Sequence, residues 1–307
     1  MNFIHGDCLS VLPAFAESSF DVCVCDPPYA LSKGQSWDTI DVPAGIAPTQ
    51  NGLDYKAGAT GQAHSHGLAT HDPVKYQEWC RRWGAEVFRV LKPGGLLLAW
   101  GGPRTFARMI VGLEDAGFGV RDVFSWLFSH GYPKGIHNLG TRLGPDWEGW
   151  SSVVRPAWEP ITLLIKPFKG TLTENVRTYQ TGALNRGDAW PTNVLVSDEE
   201  QTIPRAFYNH KASPKERFGW CYSCQTLVSW EDAHGEHGEH AVEWHPSVKP
   251  INLVSRCVRL VTRPGAMLLD PFCGTGTVAA VARGITENVT SIEVNETYWK
   301  IAQARNQ

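Results

Sequence analysis

Four short stretches constrain the fold of this chain more than anything else in it. Residues 21–25 (DVCVC), 96–100 (LLLAW), 266–270 (AMLLD) and 289–294 (VTSIEV) are almost unbroken apolar or β-branched runs. Strands without polar alternation bury both faces, as in parallel sheets covered by helices on each side. The segments between them read as helices. Tyr76, Trp79, Trp83, Val87 and Val90 recur at helical spacing, behind Asp72 as N-cap and Pro73 as first helical residue. That helix is expected to stop at a turn, KPGG, over 92–95. A shorter helix over 8–16 has Asp7 or Ser10 as cap. Further helices are predicted over 104–117, 251–262, 275–284 and 296–305, and further strands over 2–5, 119–128 and 161–166. Strand alternating with helix predicts an α/β fold, a Rossmann-like doubly wound mixed sheet.

The alternation breaks twice. Residues 30–71 carry no periodicity, and a loop of that length inside a domain usually has a function. Residues 129–246 hold much of the chain's Gly, Pro and Trp, with one clear strand at 161–166. Three parts are therefore expected: 1–166, an inserted region over 167–244, and 245–307. The net charge of −3 is segregated. Residues 75–108 hold seven Lys or Arg against two acids, whereas 231–243 hold five acids and no Lys or Arg. Binding nucleic acid needs a basic face, not a basic total. No apolar run approaches the roughly 18 residues of a membrane span. The eight cysteines show no secreted disulfide spacing, so a reduced, cytoplasmic protein is expected. Cys23 and Cys25, two apart in a strand, share one face as buried thiols.

Two constellations could carry chemistry. In LLDPFCGTGTVAA a buried strand ends at Asp270 and a turn with Phe272, Gly274 and Gly276 opens a helix, which lets a ligand approach backbone at a helix N-terminus. The next strand ends at Glu293, where such folds place an acid on a ribose. The pair predicts an adenosine-containing cofactor without choosing between a nicotinamide and S-adenosylmethionine. The second constellation is CDPPY, with Asp26, Pro27, Pro28 and Tyr29 at the mouth of a buried strand. Methylating an exocyclic amine requires its delocalised lone pair to be localised. A carboxylate on one N–H and a backbone carbonyl on the other would do this. Asp26 supplies the first and Pro27 the second; the prolines stiffen the turn. Tyr29 offers a face for an extruded base.

Taken together, HGDCLSVLPAFAESSFDVCVCDPPY, HPSVKP, LLDPFCGTGT and IEVNETYWKIAQAR resemble the amino-group DNA methyltransferases that act on adenine N6 or cytosine N4. The DPPY element precedes the glycine motif, which is the beta arrangement of that family. The stretch over 153–185 resembles phage- and mobile-element-borne members. The resemblance implies a permuted S-adenosylmethionine-dependent methyltransferase fold with the first strand pairing beside the Glu293 strand, and a target-recognition region over 167–244. It implies catalysis by Asp26, Pro27, Pro28 and Tyr29. It places the cofactor on Asp7, Cys8, Asp26, His245, Ser247, Lys249, Asp270, Phe272, Gly274, Gly276 and Glu293, with His245, Ser247 and Lys249 at its methionine end. It also implies double-stranded DNA as partner and admits a homodimer and a paired restriction enzyme. Because the motif opens with Asp rather than Ser, adenine N6 is expected, with cytosine N4 as the alternative. A nicotinamide-dependent oxidoreductase would leave DPPY and HPSVKP unexplained; a non-catalytic DNA-binding module would bind DNA without consuming a methyl donor. Methyltransferases acting on RNA or protein glutamine usually carry the two motifs in the opposite order.

The inserted region carries scattered Lys and Arg among Asn, Trp and Tyr, suited to phosphate contacts. It also carries Cys221-x-x-Cys224 followed by His234, His237 and His240. Cys221, Cys224, His237 and His240 form a zinc-ligand pattern, although the spacing between the pairs is short. A structural zinc there would staple a module with little core of its own.

Overall fold

A computed structural model describes residues 1–30, 73–128, 136–187, 191–196, 207–208, 213–230, 242–245 and 248–307. The chain forms β1 (Asn2–His5), α1 (Cys8–Val11), β2 (Phe20–Cys25), α2 (Pro73–Val90), β3 (Leu91–Trp100), α3 (Phe106–Asp115) and β4 (Gly119–Leu127). There follow α4 (Gly140–Leu143), β5 (Trp158–Ile165), α5 (Leu172–Tyr179), β6 (Val194–Val196) and β7 (Phe207–Tyr208). The last part holds β8 (Phe218–Cys221), β9 (Thr226–Ser229), β10 (Val242–Trp244), α6 (Ile251–Val261), β11 (Leu268–Asp270), α7 (Thr277–Ala282), β12 (Val289–Glu293) and α8 (Glu296–Arg305).

The main sheet has the order β1-β12-β11-β2-β3-β5-β4-β6-β7. The strands from β1 to β3 are mutually parallel, and β5 runs antiparallel to both β3 and β4. β1 lies beside β12 in register, His5 opposite Glu293, as the motif order implies. The apolar runs behave as a doubly covered sheet requires. All six residues of β2 are buried. Cys23 and Cys25 join the core under α1, α2 and α3, whereas Val22 and Val24 join the core under α6 and α7. This is the period of two that puts neighbouring side chains on opposite faces.

One turn falls elsewhere than expected. The KPGG segment is inside β3, not ahead of it. Phe20 pairs with Leu91 and Val22 with Leu96, so the extra residues are accommodated as a bulge with Gly94 at φ +76°. Thr181 and Asn175 hold that bulge by bonding the Pro93 carbonyl. The first helix is also shorter than predicted, giving way after Val11 to a 3-10 turn that contains Pro13. Residues 167–244 are distributed between two sheets: β6 and β7 extend the main one, and β8, β9 and β10 form a separate three-stranded sheet that packs on α8. The expected loop over 30–71 lies almost wholly outside the described residues.

The path of the chain creates one crevice. From β11 the chain passes through α7 to β12 on one side, and from β2 through α2 to β3 on the other. β11 and β2 are neighbours, with Leu269 opposite Cys23. In open α/β sheets, ligands bind outside the carboxyl ends of strands at such a reversal. Asp270 and Asp26 stand at those two ends.

The helices over one face pack closely through Gly112 of α3. A Cβ there would collide with the Gln77 carbonyl of α2 and stand 2.9 Å from the Cys80 Cβ. Replacing Gly112 with Ala should lower the unfolding free energy by about 1–3 kcal/mol, as overpacking does. Urea denaturation would show this as a lower midpoint with an unchanged slope.

Candidate active site

The strand β2 ends because Pro27 and Pro28 have no N–H for the ladder. The chain then turns at Ala30, a buried residue with φ +56°. Two helical segments fix this turn from outside. The Tyr76 hydroxyl donates to the Pro28 carbonyl at 3.1 Å, and the Thr105 hydroxyl donates to the Tyr29 carbonyl at 2.9 Å. Held in this way, the Asp26 carboxylate accepts on both oxygens. Its Oδ1 takes the Tyr29 hydroxyl at 2.7 Å, and its Oδ2 takes the Lys249 ammonium at 2.6 Å.

The glycine turn faces Asp26 across the crevice. Asp270 is buried, and its Oδ1 accepts the Phe272 N–H at 3.3 Å. Burial pushes its carboxyl well above the usual carboxylate range; the Phe272 N–H opposes this, and the Glu293 and Asp26 charges add to it. Phe272 packs against Trp79 and Trp83 of α2, with ring centroids 5.7 and 5.3 Å apart. Gly274 has φ +51°, and a Cβ on it would lie 3.3 Å from the His245 ring. Glycine takes this φ without strain and lets the His245 ring pack closely on that face of the turn. Gly276, at φ +77°, begins α7 where Ala302 of α8 comes within 3.0 Å of a Cβ position. Glu293 braces the turn from behind: its Oε2 accepts the Gly274 N–H at 2.8 Å and its Oε1 the Asn295 N–H at 2.9 Å. Burial raises the Glu293 carboxyl too, against the opposing pull of these N–H groups.

A third piece of chain reaches in from the small sheet. His245 follows β10 and meets the Tyr298 ring edge-on at 4.6 Å. Lys249, just before α6, is 7 % exposed and lies over the Tyr29 ring at 5.2 Å. Asp26, His245, Lys249, Asp270, Phe272 and Gly274 thus line a single narrow pocket, together with Trp100. Lys249 is on the Asp26 carboxylate, a contact the motif reading did not foresee. Ser247 lies outside the described residues.

Glu159, the second residue of β5, was also missed. Its Oε2 is 3.6 Å from the Lys249 ammonium and 3.5 Å from the Tyr29 hydroxyl. The available signal was a lone acid at the start of an otherwise apolar strand. Burial alone would lower the Lys249 pKa, but Asp26 and then Glu159 outweigh it and hold the ammonium above the usual lysine range. Burial, with the Asp26 and Glu159 charges behind it, keeps the Tyr29 phenol protonated. Cys25 is buried, and burial drives its thiol up, so it is core and no nucleophile.

Asp7 and Cys8 lie at the neighbouring edge rather than in this pocket. Gly6 N–H donates to the Glu293 carbonyl at 2.9 Å, which brings the segment beside the Glu293 strand. The Asp7 carboxylate caps α1 by accepting the Leu9 N–H at 2.9 Å. Cys8 is buried, and burial followed by the Asp7 charge raises its thiol. Cys221 and Cys224 flank a tight hairpin turn, the Cys224 N–H donating to the Cys221 sulfur at 3.4 Å. His237 and His240 lie outside the described residues. Among the described residues no group of three or more His, Cys, Asp or Glu could hold a metal ion. No helix among them is long and apolar enough to cross a membrane.

The sequence and the fold have counterparts in known proteins. A type II methyltransferase of Haemophilus influenzae, M.HindIII, is 30% identical over 243 residues, 76% of this chain and 70% of that protein. The PvuII DNA methyltransferase, described as cytosine-N4-specific, superposes with a TM-score of 0.57 at 16% identity, over 99% of this chain and 85% of that one. A putative DNA modification methylase from Thermus thermophilus, complexed with S-adenosyl-L-methionine, gives 0.53 at 19% identity, over 100% and 95%. These two likenesses bear on the fold, a mixed α/β sheet of the S-adenosylmethionine-dependent methyltransferase kind. The family profile described as DNA methylase, N6_N4_Mtase, matches residues 20–304. The chain belongs to this family of S-adenosylmethionine-dependent DNA amino-methyltransferases.

Proposed function

We propose that this protein transfers a methyl group from S-adenosylmethionine to the N6 amino group of adenine in double-stranded DNA, on a base turned out of the helix. The observation that carries the reading is the Asp26 carboxylate, held rigidly across one pocket from the Gly274 turn. The reading places the cofactor at that turn because Gly274 lines the pocket there with Asp270, Phe272 and His245, while Glu293 braces the turn and Gly276 opens the helix behind it. When bound, S-adenosylmethionine supplies an electrophilic methyl on a sulfonium.

The chain's own residues then do the following. Asp26 accepts one N–H of the target amine and the Pro27 carbonyl the other, which localises the nitrogen lone pair toward the methyl. As the new N–C bond forms and the methyl's bond to sulfur breaks to leave a neutral thioether, one amine proton would pass to the Asp26 carboxylate. The two prolines keep carboxylate and carbonyl in fixed relation. Tyr29, whose ring also lies under the Lys249 ammonium, is the aromatic beside Asp26 on which the base would stack. Adenine rather than cytosine is favoured by the Asp that opens the motif.

DNA approaches the carboxyl edge of the sheet, where the pocket opens. The segment over 136–157 joins the carboxyl end of β4 to the start of β5 at that edge, and it exposes Trp147 and Trp150. By contrast α5 packs at the amino end of β3, through Asn175 on the Pro93 carbonyl. Seven residue steps of strand, at most about 23 Å at roughly 3.3 Å each, separate Pro93 from the pocket at Trp100. The DNA-reading surface therefore draws on 136–157 as well as on the later part of the inserted region. A structural zinc on the Cys221–Cys224 turn remains part of this reading, and about one equivalent in the purified protein checks it.

Asp26→Ala should abolish methyl transfer while cofactor binding, read by calorimetry, persists; retained activity would sink the mechanism. Tyr29→Phe should keep most of the rate, whereas Tyr29→Ala loses about 10–100-fold, the worth of one aromatic–base stack. Nucleoside mass spectrometry of methylated DNA should show N6-methyldeoxyadenosine, and N4-methyldeoxycytidine would overturn the base assignment. Asp270 makes a separate prediction about pH. Its folded pKa is raised, so the folded state holds a proton where the unfolded state has lost it. Its contribution is complete below the ordinary carboxylate range, about pH 4, and is lost as pH rises toward the raised folded value. Asp270→Asn should flatten this fall in melting temperature with pH; an unaltered slope would show that Asp270 is not its source.

A further inference from the structure

The Lys249 ammonium is nearly sealed from water between two carboxylates. It bonds Asp26 at 2.6 Å and stands 3.6 Å from Glu159. We propose that Glu159 is a positioning residue for Asp26: it takes over Lys249 when the target amine arrives, so that Asp26 Oδ2 is released to hold the amine. The proposal rests on Asp26 being the acceptor of that amine.

The geometry argues for a shared cation in three steps. First, an ammonium hydrogen-bonded to Oδ2 draws electron density from the carboxylate. That makes Asp26 a poorer acceptor for an amine N–H and a weaker base for the proton that leaves. Lys249 must therefore slacken its hold before transfer. Second, a buried ammonium deprived of its counter-charge is heavily penalised, so it needs another anion within reach. Glu159 is the carboxylate that qualifies, since its Oε2 needs to close a gap of 3.6 Å to reach bonding distance. Third, the same Oε2 lies 3.5 Å from the Tyr29 hydroxyl, the other donor now engaged with Asp26. Both donors on Asp26 thus have one and the same alternative acceptor.

Glu159 is well placed for a fixed role. It sits in a central strand, opposite Trp126 of β4, and its neighbour Trp158 packs edge-on against Phe106 at 5.7 Å. Lys249 precedes α6 directly, and α6 is buried along Leu253, Val254, Cys257 and Val258. The backbones carrying the two charges are thereby anchored, and the handover needs only side-chain rotation.

Single-turnover methyl transfer, with cofactor and DNA affinities measured separately, tests this in four variants. Glu159→Gln should slow transfer at least ~30-fold while both affinities stay within ~3-fold, the pattern of an interaction that matters after binding. Glu159→Asp should recover ~10-fold of that loss, since it keeps the charge. In a Lys249→Met background, Glu159→Gln should cost less than ~3-fold more, because there is no ammonium left to receive. The proposal fails if Glu159→Gln stays within ~3-fold of the unmodified protein, if Asp does no better than Gln, or if the loss is equal in both backgrounds. Should Lys249→Met alone fall below detection, the Asp rescue decides. Melting curves on each variant separate loss of fold from loss of rate. An active Asp26→Ala variant would instead remove the underlying assignment, whatever Glu159 does.

Discussion

The pairing of β11 with β2 is the constraint from which the rest of the site follows. Leu269 lies opposite Cys23, so the two strands end side by side, and their helices leave to opposite sides. Among the described residues a narrow pocket lies at these strand ends, where the chain diverges. Each strand delivers an acid to this pocket, and the acids do different work. Asp270 is buried at the foot of the glycine turn and stays protonated more readily than an ordinary carboxylate. Asp26 is one residue beyond its strand, partly open, with a buried cation on it. Two chemically alike side chains at equivalent strand ends are thus set apart by burial and by partner.

Electrostatics explains why the pocket needs so much bracing. Asp26, Glu159, Asp270 and Glu293 crowd one end of the sheet with Lys249 among them. Such a collection would repel itself if all four were ionised and unpaired. Backbone N–H groups of Phe272, Gly274 and Asn295 relieve Asp270 and Glu293, and Lys249 relieves Asp26 and Glu159.

Much of this was legible in the sequence, for identifiable reasons. Unbroken runs such as DVCVC report double burial, so the sheet could be read from them directly. The turns DPPY and GTG announce themselves because proline and glycine limit the backbone. KPGG was misplaced for the same reason: Pro and Gly signal a break, but a bulge held by Thr181 and Asn175 satisfies that signal within a strand. Glu159 and the Lys249–Asp26 contact were not readable. Residues 26, 159 and 249 meet only because β2, β5 and the segment before α6 converge on one edge, and no periodicity encodes a meeting across such separations.

The order of the motifs along the chain has a physical consequence as well. Because β1 and β12 pair in parallel, the sheet is continuous across the chain's two ends. The Asp26 turn then comes early, and the Gly274 turn near the end. The β10–α6 segment carries His245 against the Gly274 turn and Lys249 against Asp26. That one short return segment touches both halves of the site.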